Sequence, residues 1–312
     1  MRLVTYSVSG EQRLGALVGG WVVDLEKAHL RFLEEEAPQK EQEPLPSNML
    51  AFLHMGSKGM NQARTVLDYL RPLLDKGAVS PPLAYPEGEV TLEVPVPNPS
   101  KIIAIGRNYA DHSLEQGEEP PEKPILFAIF PNSLIGPGQP VIHHKLTQRL
   151  DYEAELAFII GRRASRVSAA EALDYVAGYT IFNDITARDL VQADLQWLRG
   201  KSLDSFSPMG PALVTPDEIG DPHNLEIKLY VNGNLKQDSN TRHLIFKIPQ
   251  LIEFITQGIT LEPGDIVTTG TPSGVGAFRS PPVFLAPGDE IRIEIEGLGA
   301  LVNTVVKDPS AT

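Results

Sequence analysis

The chain has 312 residues, 42% of them apolar, with no cysteine and a formal net charge of -13. This length and apolar share fit one large domain or two smaller ones and exclude a wholly disordered chain, while the missing cysteines exclude thiol nucleophiles, disulfides and thiolate zinc sites. The acidic balance argues against a general nucleic-acid or membrane-surface binder, and no run of about 18 apolar residues occurs, so the expectation is a soluble, cytoplasmic protein with no nucleic-acid and no membrane partner.

Residues 3–8, 14–18 and 21–25 read as a small meander of strands, and 27–36 as a short helix. The charge-rich 34–44 stretch reads as a solvated loop. Helical periodicity returns over 47–57 and 59–75, where Ala63, Val66, Leu67, Leu70, Leu73 and Leu74 form an apolar stripe. The Pro- and Gly-rich 79–101 segment is a connector with one edge strand at 90–94. A boundary placed there gives a small N-terminal α+β domain, 1–85, and a main domain, 86–312, with its core over 101–306. That main domain opens with strand 101–106, a helical turn and proline-rich loop over 107–124, and strand 125–131. A basic segment, 143–149, leads to the acidic strand 151–158, DYEAELAF. Ser168 and Glu171 have capping-box spacing, which predicts a helix over 169–177, then strand 179–183. Thr186 and Asp189 repeat the signature before a second helix carrying Leu190, Val191, Leu195 and Leu198. Residues 200–211 read as a loop by composition. Strands follow at 212–215 and 225–232, then a helix from Pro249 to Gly258, and strands at 265–269, 290–296 and 300–306. The fold class expected is mixed α/β and β-rich, with short peripheral helices. It lacks the regular alternation of a doubly wound sheet or barrel.

The chemistry begins in the acidic strand. Alternation puts Asp151, Glu153 and Glu155 on one face, with same-side neighbours about 6–7 Å apart, within reach of one cation. A solvated face, or glutamates paired with Arg149, Arg162 or Arg163, is the alternative. Asp184, at the end of an apolar strand, is the natural third carboxylate; its other reading is a helix cap. An all-oxygen set of Glu153, Glu155 and Asp184 suits Mg²⁺ or Mn²⁺, with Ca²⁺ as a substitute in a crystal. His112 and Glu115, three apart on a helical turn, form a candidate proton-transfer pair or else an ordinary surface pair. Lys201 could neutralise enolate charge. Arg188 and Thr271 are further candidates, and Arg107, Tyr109 and Asp204 are polar groups in the same segments. Arg188, Arg242 or His243 could take a distal carboxylate of the substrate.

These stretches resemble the fumarylacetoacetate hydrolase family. The matching segments are GRNYADHSLE at 106–115, DYEAELAFIIG at 151–161, GYTIFNDITARD at 178–189, KSLDSFSPMGP at 201–211 and TTGTPSGVG at 268–276. The resemblance implies a main domain of rolled, twisted sheets and a homodimer. It sets Glu153, Glu155 and Asp184 on the metal ligands, His112 and Glu115 on the catalytic pair of acylpyruvase-like members, Lys201 on an active-site lysine and Thr271 on a substrate contact. The implied substrate is a small 2-keto or 2-enol carboxylate. The reaction expected is hydrolytic C–C cleavage of an acylpyruvate through a metal-stabilised pyruvate enolate. Isomerisation of hydroxymuconates, as in aromatic-compound catabolism, and decarboxylation of β-keto dicarboxylates such as oxaloacetate use the same enolate and are the alternatives. A non-catalytic metal-binding homologue is a third.

Overall fold

Alternating apolar residues start the chain as three antiparallel strands in the computed structural model, which describes residues 1–36 and 43–311. These are β1 (Arg2–Val8), β2 (Glu11–Val18) and β3 (Trp21–Asp24). Helices α1 (Leu25–Glu36), α2 (Met49–His54) and α3 (Gly56–Asp75) follow, then the short strands β4 (Ala84–Pro86) and β5 (Thr91–Leu92). The acidic loop expected over 34–44 begins later than its charge run implied, because α1 continues through Glu36; residues 37–42 lie outside the described residues.

The remaining chain supplies β6 (Ile102–Gly106), α4 (Ala110–Glu115), β7 (Ile125–Ile129), β8 (Leu134–Ile135), β9 (Val141–His143) and β10 (Leu150–Asp151). Next come β11 (Ala154–Ile160), β12 (Val176–Asn183), β13 (Thr186–Ala187), α5 (Arg188–Asp194), α6 (Leu198–Lys201) and β14 (Ser207–Val214). The chain ends with β15 (Glu226–Val231), β16 (Asn234–Asn240), α7 (Ile248–Thr256), β17 (Ile266–Thr268), β18 (Glu290–Ile295) and β19 (Gly299–Lys307). The fold is the strand-rich mixed α/β class with short helices that the sequence predicts.

A 12-stranded sheet runs β4-β3-β2-β1-β14-β12-β11-β17-β6-β7, with β5 paired to β1 and β8 to β14 off this path, and a 5-stranded sheet runs β16-β15-β18-β19-β9. One face of the large sheet, carrying Leu156, Phe158 and Ile160, packs with Ile227, Leu229 and Ile293 of the small sheet and with Leu251 and Ile255 of α7. The opposite face, carrying Ala157 and Ile159, packs with Leu25, Phe52, Val66 and Leu70 of the N-terminal helices. The ladder crosses the expected boundary at residue 85: Leu3 of β1 pairs with Leu213 of β14.

Three local expectations change. The Ser168 hydroxyl does donate to Glu171 at 2.7 Å, yet only a single 3₁₀ turn, Ala172–Tyr175, follows, and β12 starts at Val176. Leu173 is exposed there, so the segment has no apolar stripe to hold a longer helix. The 200–211 stretch is the end of α6 followed by most of β14; Pro208, Gly210 and Pro211 are tolerated because the ladder with β12 shifts register there. The second helix breaks at Leu195, which is left-handed (φ 56) and exposed, and α5 has no side-chain cap.

Candidate active site

Glu153 precedes β11 and Glu155 lies inside it. The β11–β12 ladder pairs Ala154 with Asn183, which carries Asp184 alongside Glu153; the Asp184 N–H donates to the Glu153 carbonyl at 2.9 Å. One oxygen from each of Glu153, Glu155 and Asp184 then lies within 4.8 Å of the others, and all three side chains are buried. Alternation alone assigns the first two; the strand pairing adds the third. Asp151 parts from them, because strand pairing is interrupted between β10 and β11. Its carboxylate instead accepts the backbone N–H groups of Gly276 (2.8 Å) and Ala277 (2.9 Å) and the Arg188 Nε–H (2.8 Å).

The cations that neutralise the triad are not those nearest in sequence. Lys201, at the end of α6, donates from Nζ to Glu153 at 2.7 Å and to Asp184 at 2.6 Å. Arg188 donates from Nη2 to Glu153 at 2.6 Å. Arg162 lies over the Tyr175 ring and Arg163 pairs with Glu262, so neither takes the alternative role weighed for it. Glu155 has no ion pair with either cation and accepts the Gly270 N–H at 2.8 Å.

Lys201 and Arg188 bring two positive charges against the four carboxylates Asp151, Glu153, Glu155 and Asp184. Two negative charges remain, buried, which is the charge a divalent cation cancels. In its absence protons take that place. Burial, then Asp184 and Glu153 beside it, holds the Glu155 carboxyl well above the usual range. Burial pushes Asp184 up to about 7 against the pull of Lys201. Burial also acts on Glu153, but Lys201, Arg188 and His112 outweigh it and hold that group down at about 2. Asp184 Oδ1 is sealed from solvent with no hydrogen-bond partner. An unpartnered carboxylate oxygen in a set of hard oxygen donors fits Mg²⁺ or Mn²⁺.

His112 and Glu115 share one turn of α4, with Nδ1 3.2 Å from Glu115 Oε2. The other Glu115 oxygen accepts the Gly274 N–H at 2.9 Å, tying the pair to the glycine-rich loop. Nδ1 therefore carries the proton, and the Nε2 lone pair faces the Gln116 amide at 2.6 Å. Asn108, fully buried, fixes the turn before α4 through its side-chain N–H bonds to Phe246 O (3.0 Å) and Thr269 O (2.9 Å).

A cavity of about 390 Å³ joins these groups. Its wall includes Arg107, His112, Arg188, Lys201, Thr271 and the carboxylate triad. Glu115 stands behind His112. Tyr109 is wholly buried, with its hydroxyl unpartnered, and does not reach the wall. Asp204 is exposed and accepts from Asn132 at 2.8 Å, away from the cavity, and Arg242 and His243 are also absent from its wall. Sequence reasoning gave no role to Gln116 or Asn108 and weighed Arg149 only as an ion-pair partner of the glutamates; their only signal was a place in polar segments flanking β6 and β10.

The family model for the fumarylacetoacetate (FAA) hydrolase C-terminal domain matches residues 101–306. The chain belongs to the fumarylacetoacetate hydrolase family. It is 46% identical over 264 residues to the mitochondrial oxaloacetate tautomerase fahd2 of Xenopus laevis, covering 84% of this chain and 79% of that one. To the oxaloacetate tautomerase YisK of Bacillus subtilis it is 42% identical over 288 residues, covering 91% and 92%. Among solved structures, the maleylpyruvate hydrolase of Sphingobium sp. SYK-6, in complex with manganese(II) and pyruvate, superposes with a TM-score of 0.74 at 31% identity, covering 98% and 99%. This fumarylacetoacetate hydrolase-family chain is thus an enzyme of a group that includes tautomerases and hydrolases.

Proposed function

We propose that the chain is a tautomerase, dependent on Mg²⁺ or Mn²⁺, that interconverts the keto and enol forms of an oxaloacetate-type 2-keto acid. The similarity to two oxaloacetate tautomerases, one over nine-tenths of the chain, carries this reading in preference to the hydrolase first expected. Glu153, Glu155 and Asp184 would hold the cation, which when bound supplies a positive centre for the substrate's carboxylate and adjacent oxygen.

The rest of the reaction falls to this chain's side chains. In the enol-to-keto direction the O2 proton passes to the Nε2 lone pair of His112, and C3 gains a proton from the imidazolium so formed; the keto-to-enol direction runs the same two transfers in reverse. His112 serves C3: Glu115 fixes the ring tautomer and stabilises the imidazolium, and Nε2 gives or takes the proton once the Gln116 amide yields its place. Lys201, whose ammonium is favoured by Asp184 and Glu153 despite burial, stays charged and offsets negative charge at O2. Neither step uses a water nucleophile. The likeness to a maleylpyruvate hydrolase keeps cleavage as the second reading.

The same proposal has the enzyme act as a cytoplasmic homodimer on a small carboxylate. No helix among the described residues is long and apolar enough to cross a membrane. The deciding assay follows enol-oxaloacetate by loss of its ultraviolet absorbance, with each metal and with chelator, beside a panel of acylpyruvates. Metal-dependent acceleration of enol loss is expected. Cleavage of an acylpyruvate with no effect on the enol would overturn the tautomerase reading.

A further inference from the structure

Four cations face the cavity, and three are already paired. Arg188 is held by Asp151 and Glu153, Lys201 by Glu153 and Asp184, and Arg107 by Glu118 at 3.3 Å. Arg149 is different. In a chain with 40 acidic residues against 27 basic ones, it has no carboxylate partner among the described residues. Its one side-chain hydrogen bond is a long one, Nη1 to Gln192 Oε1 at 3.4 Å. Its guanidinium lies over the Phe284 ring, 5.1 Å from the centroid. A guanidinium held over a ring face and bonded at one N–H keeps further N–H donors, and those donors match a carboxylate in bidentate fashion.

The backbone around Arg149 is rigidly set. Its N–H donates to Thr147 Oγ1 at 3.1 Å, and its carbonyl accepts the Arg188 N–H at 3.0 Å. The next residue, Leu150, pairs with Ala187 in the ladder that leads back to Asp184. The free cation and the carboxylate triad are therefore fixed on one small scaffold and line one cavity.

We propose that Arg149 is a specificity-determining residue: it binds the second carboxylate of the substrate, so the enzyme selects 2-keto dicarboxylates over monocarboxylates. This rests on the tautomerase reading and adds the substrate class to it. The carboxylate near the triad engages the metal site, and the one at the far end engages Arg149. The candidates named from charge alone, Arg242 and His243, do not reach the wall, and Arg188 already serves two carboxylates.

The test compares oxaloacetate with 2-oxobutanoate, which has a methyl group in place of the distal carboxylate. Enolisation is read as deuterium exchange at C3 by NMR in wild type, Arg149→Met and Arg149→Lys, all loaded with Mn²⁺ or Mg²⁺ as the wild type requires. Arg149→Met is expected to lower kcat/KM for oxaloacetate about 10- to 100-fold, through KM, and to leave 2-oxobutanoate within about 2-fold. Arg149→Lys should fall between, because it keeps the charge and loses the fork. Equal losses on both substrates, or no loss on oxaloacetate, overturn the assignment, as does the same selective loss from Arg107→Met with none from Arg149→Met. If wild type enolises neither compound, the tautomerase reading fails instead. Calorimetric titration with oxaloacetate then decides Arg149 by itself: binding weakened at least 10-fold in Arg149→Met supports it, and unchanged binding overturns it.

Discussion

Glu155 and Asp184 are buried carboxyls with too little positive charge beside them, and that one imbalance makes three measurable consequences. Removing a ligand oxygen is the first. Glu155→Gln is expected to weaken Mn²⁺ binding by at least about 100-fold, more than loss of an outer-shell partner would, while the melting temperature of the metal-free protein stays level or rises. Calorimetric titration with Mn²⁺ and thermal melts check both parts. The second consequence concerns pH. Asp184 titrates at about 7 when folded against 3.8 as its ordinary value. The folded state therefore holds this proton more tightly, so its contribution favours folding at acid pH and is lost as pH rises through that interval. A cation must displace the proton, so metal affinity climbs over the same range and binding releases protons. Metal affinity that is flat from pH 5 to pH 8 would contradict it. The third concerns Lys201, where Lys201→Met leaves Asp184 without a cation partner and Glu153 with Arg188 alone. Breaking a buried pair of this kind costs about 3–5 kcal/mol, so a lower denaturation midpoint without metal is expected, partly recovered by Mn²⁺.

At the scale of elements, the site is held by loops stapled to strands. Asp151 accepts both N–H groups of Gly276 and Ala277, and Glu115 accepts that of Gly274, so two carboxylates pin the glycine-rich loop across the cavity. The loop has no room for a side chain at its tightest point. A Cβ on Gly276 would stand 2.0 Å from Val283 O and 2.6 Å from Asp151 Oδ1. Gly276→Ala is expected to destabilise by about 1–3 kcal/mol in urea unfolding and to lower kcat, since the Asp151 carboxylate it would displace also holds Arg188 on the cavity wall. A variant with wild-type stability would show that the loop carries no such constraint. The elements read least well from sequence were those whose composition hides their partner. SPMGPALV looks like a loop until β12 lies beside it, and 169–177 looks like a helix until its exposed Leu173 shows that nothing supports one.

For the whole molecule, the N-terminal 85 residues do more than precede the catalytic part. The sheet face that is polar at Glu153 and Glu155 continues as Ala157 and Ile159, and the N-terminal helices cover that continuation. We propose that residues 1–85, though separable in sequence, are needed for 86–312 to fold. Deleting them would unpair β14 from β1 and expose Phe182, Met209 and Leu213. The 86–312 fragment is expected to be insoluble or to melt without a cooperative transition; a sharp calorimetric transition would restore it to an independent domain.

The strand-rich class, the carboxylates at 153, 155 and 184, the His112–Glu115 turn and the family could all be read along the chain. Each depends on local spacing: period two for a strand, three residues for a helical turn, and ordered motifs that stay contiguous. What only the tertiary structure decided is which charge meets which. Arg162 and Arg163 are near the acidic strand in sequence yet turn elsewhere, while Lys201 and Arg188 arrive from α6 and α5 to neutralise it. Tyr109 and Asp204 sit in the right segments and do not reach the cavity wall, and Arg149, weighed in the sequence only as a partner of the glutamates, lines it with no carboxylate partner among the described residues. Ion pairing is a short-range property of folded space, set by strand register and helix packing, and sequence distance carries little of it.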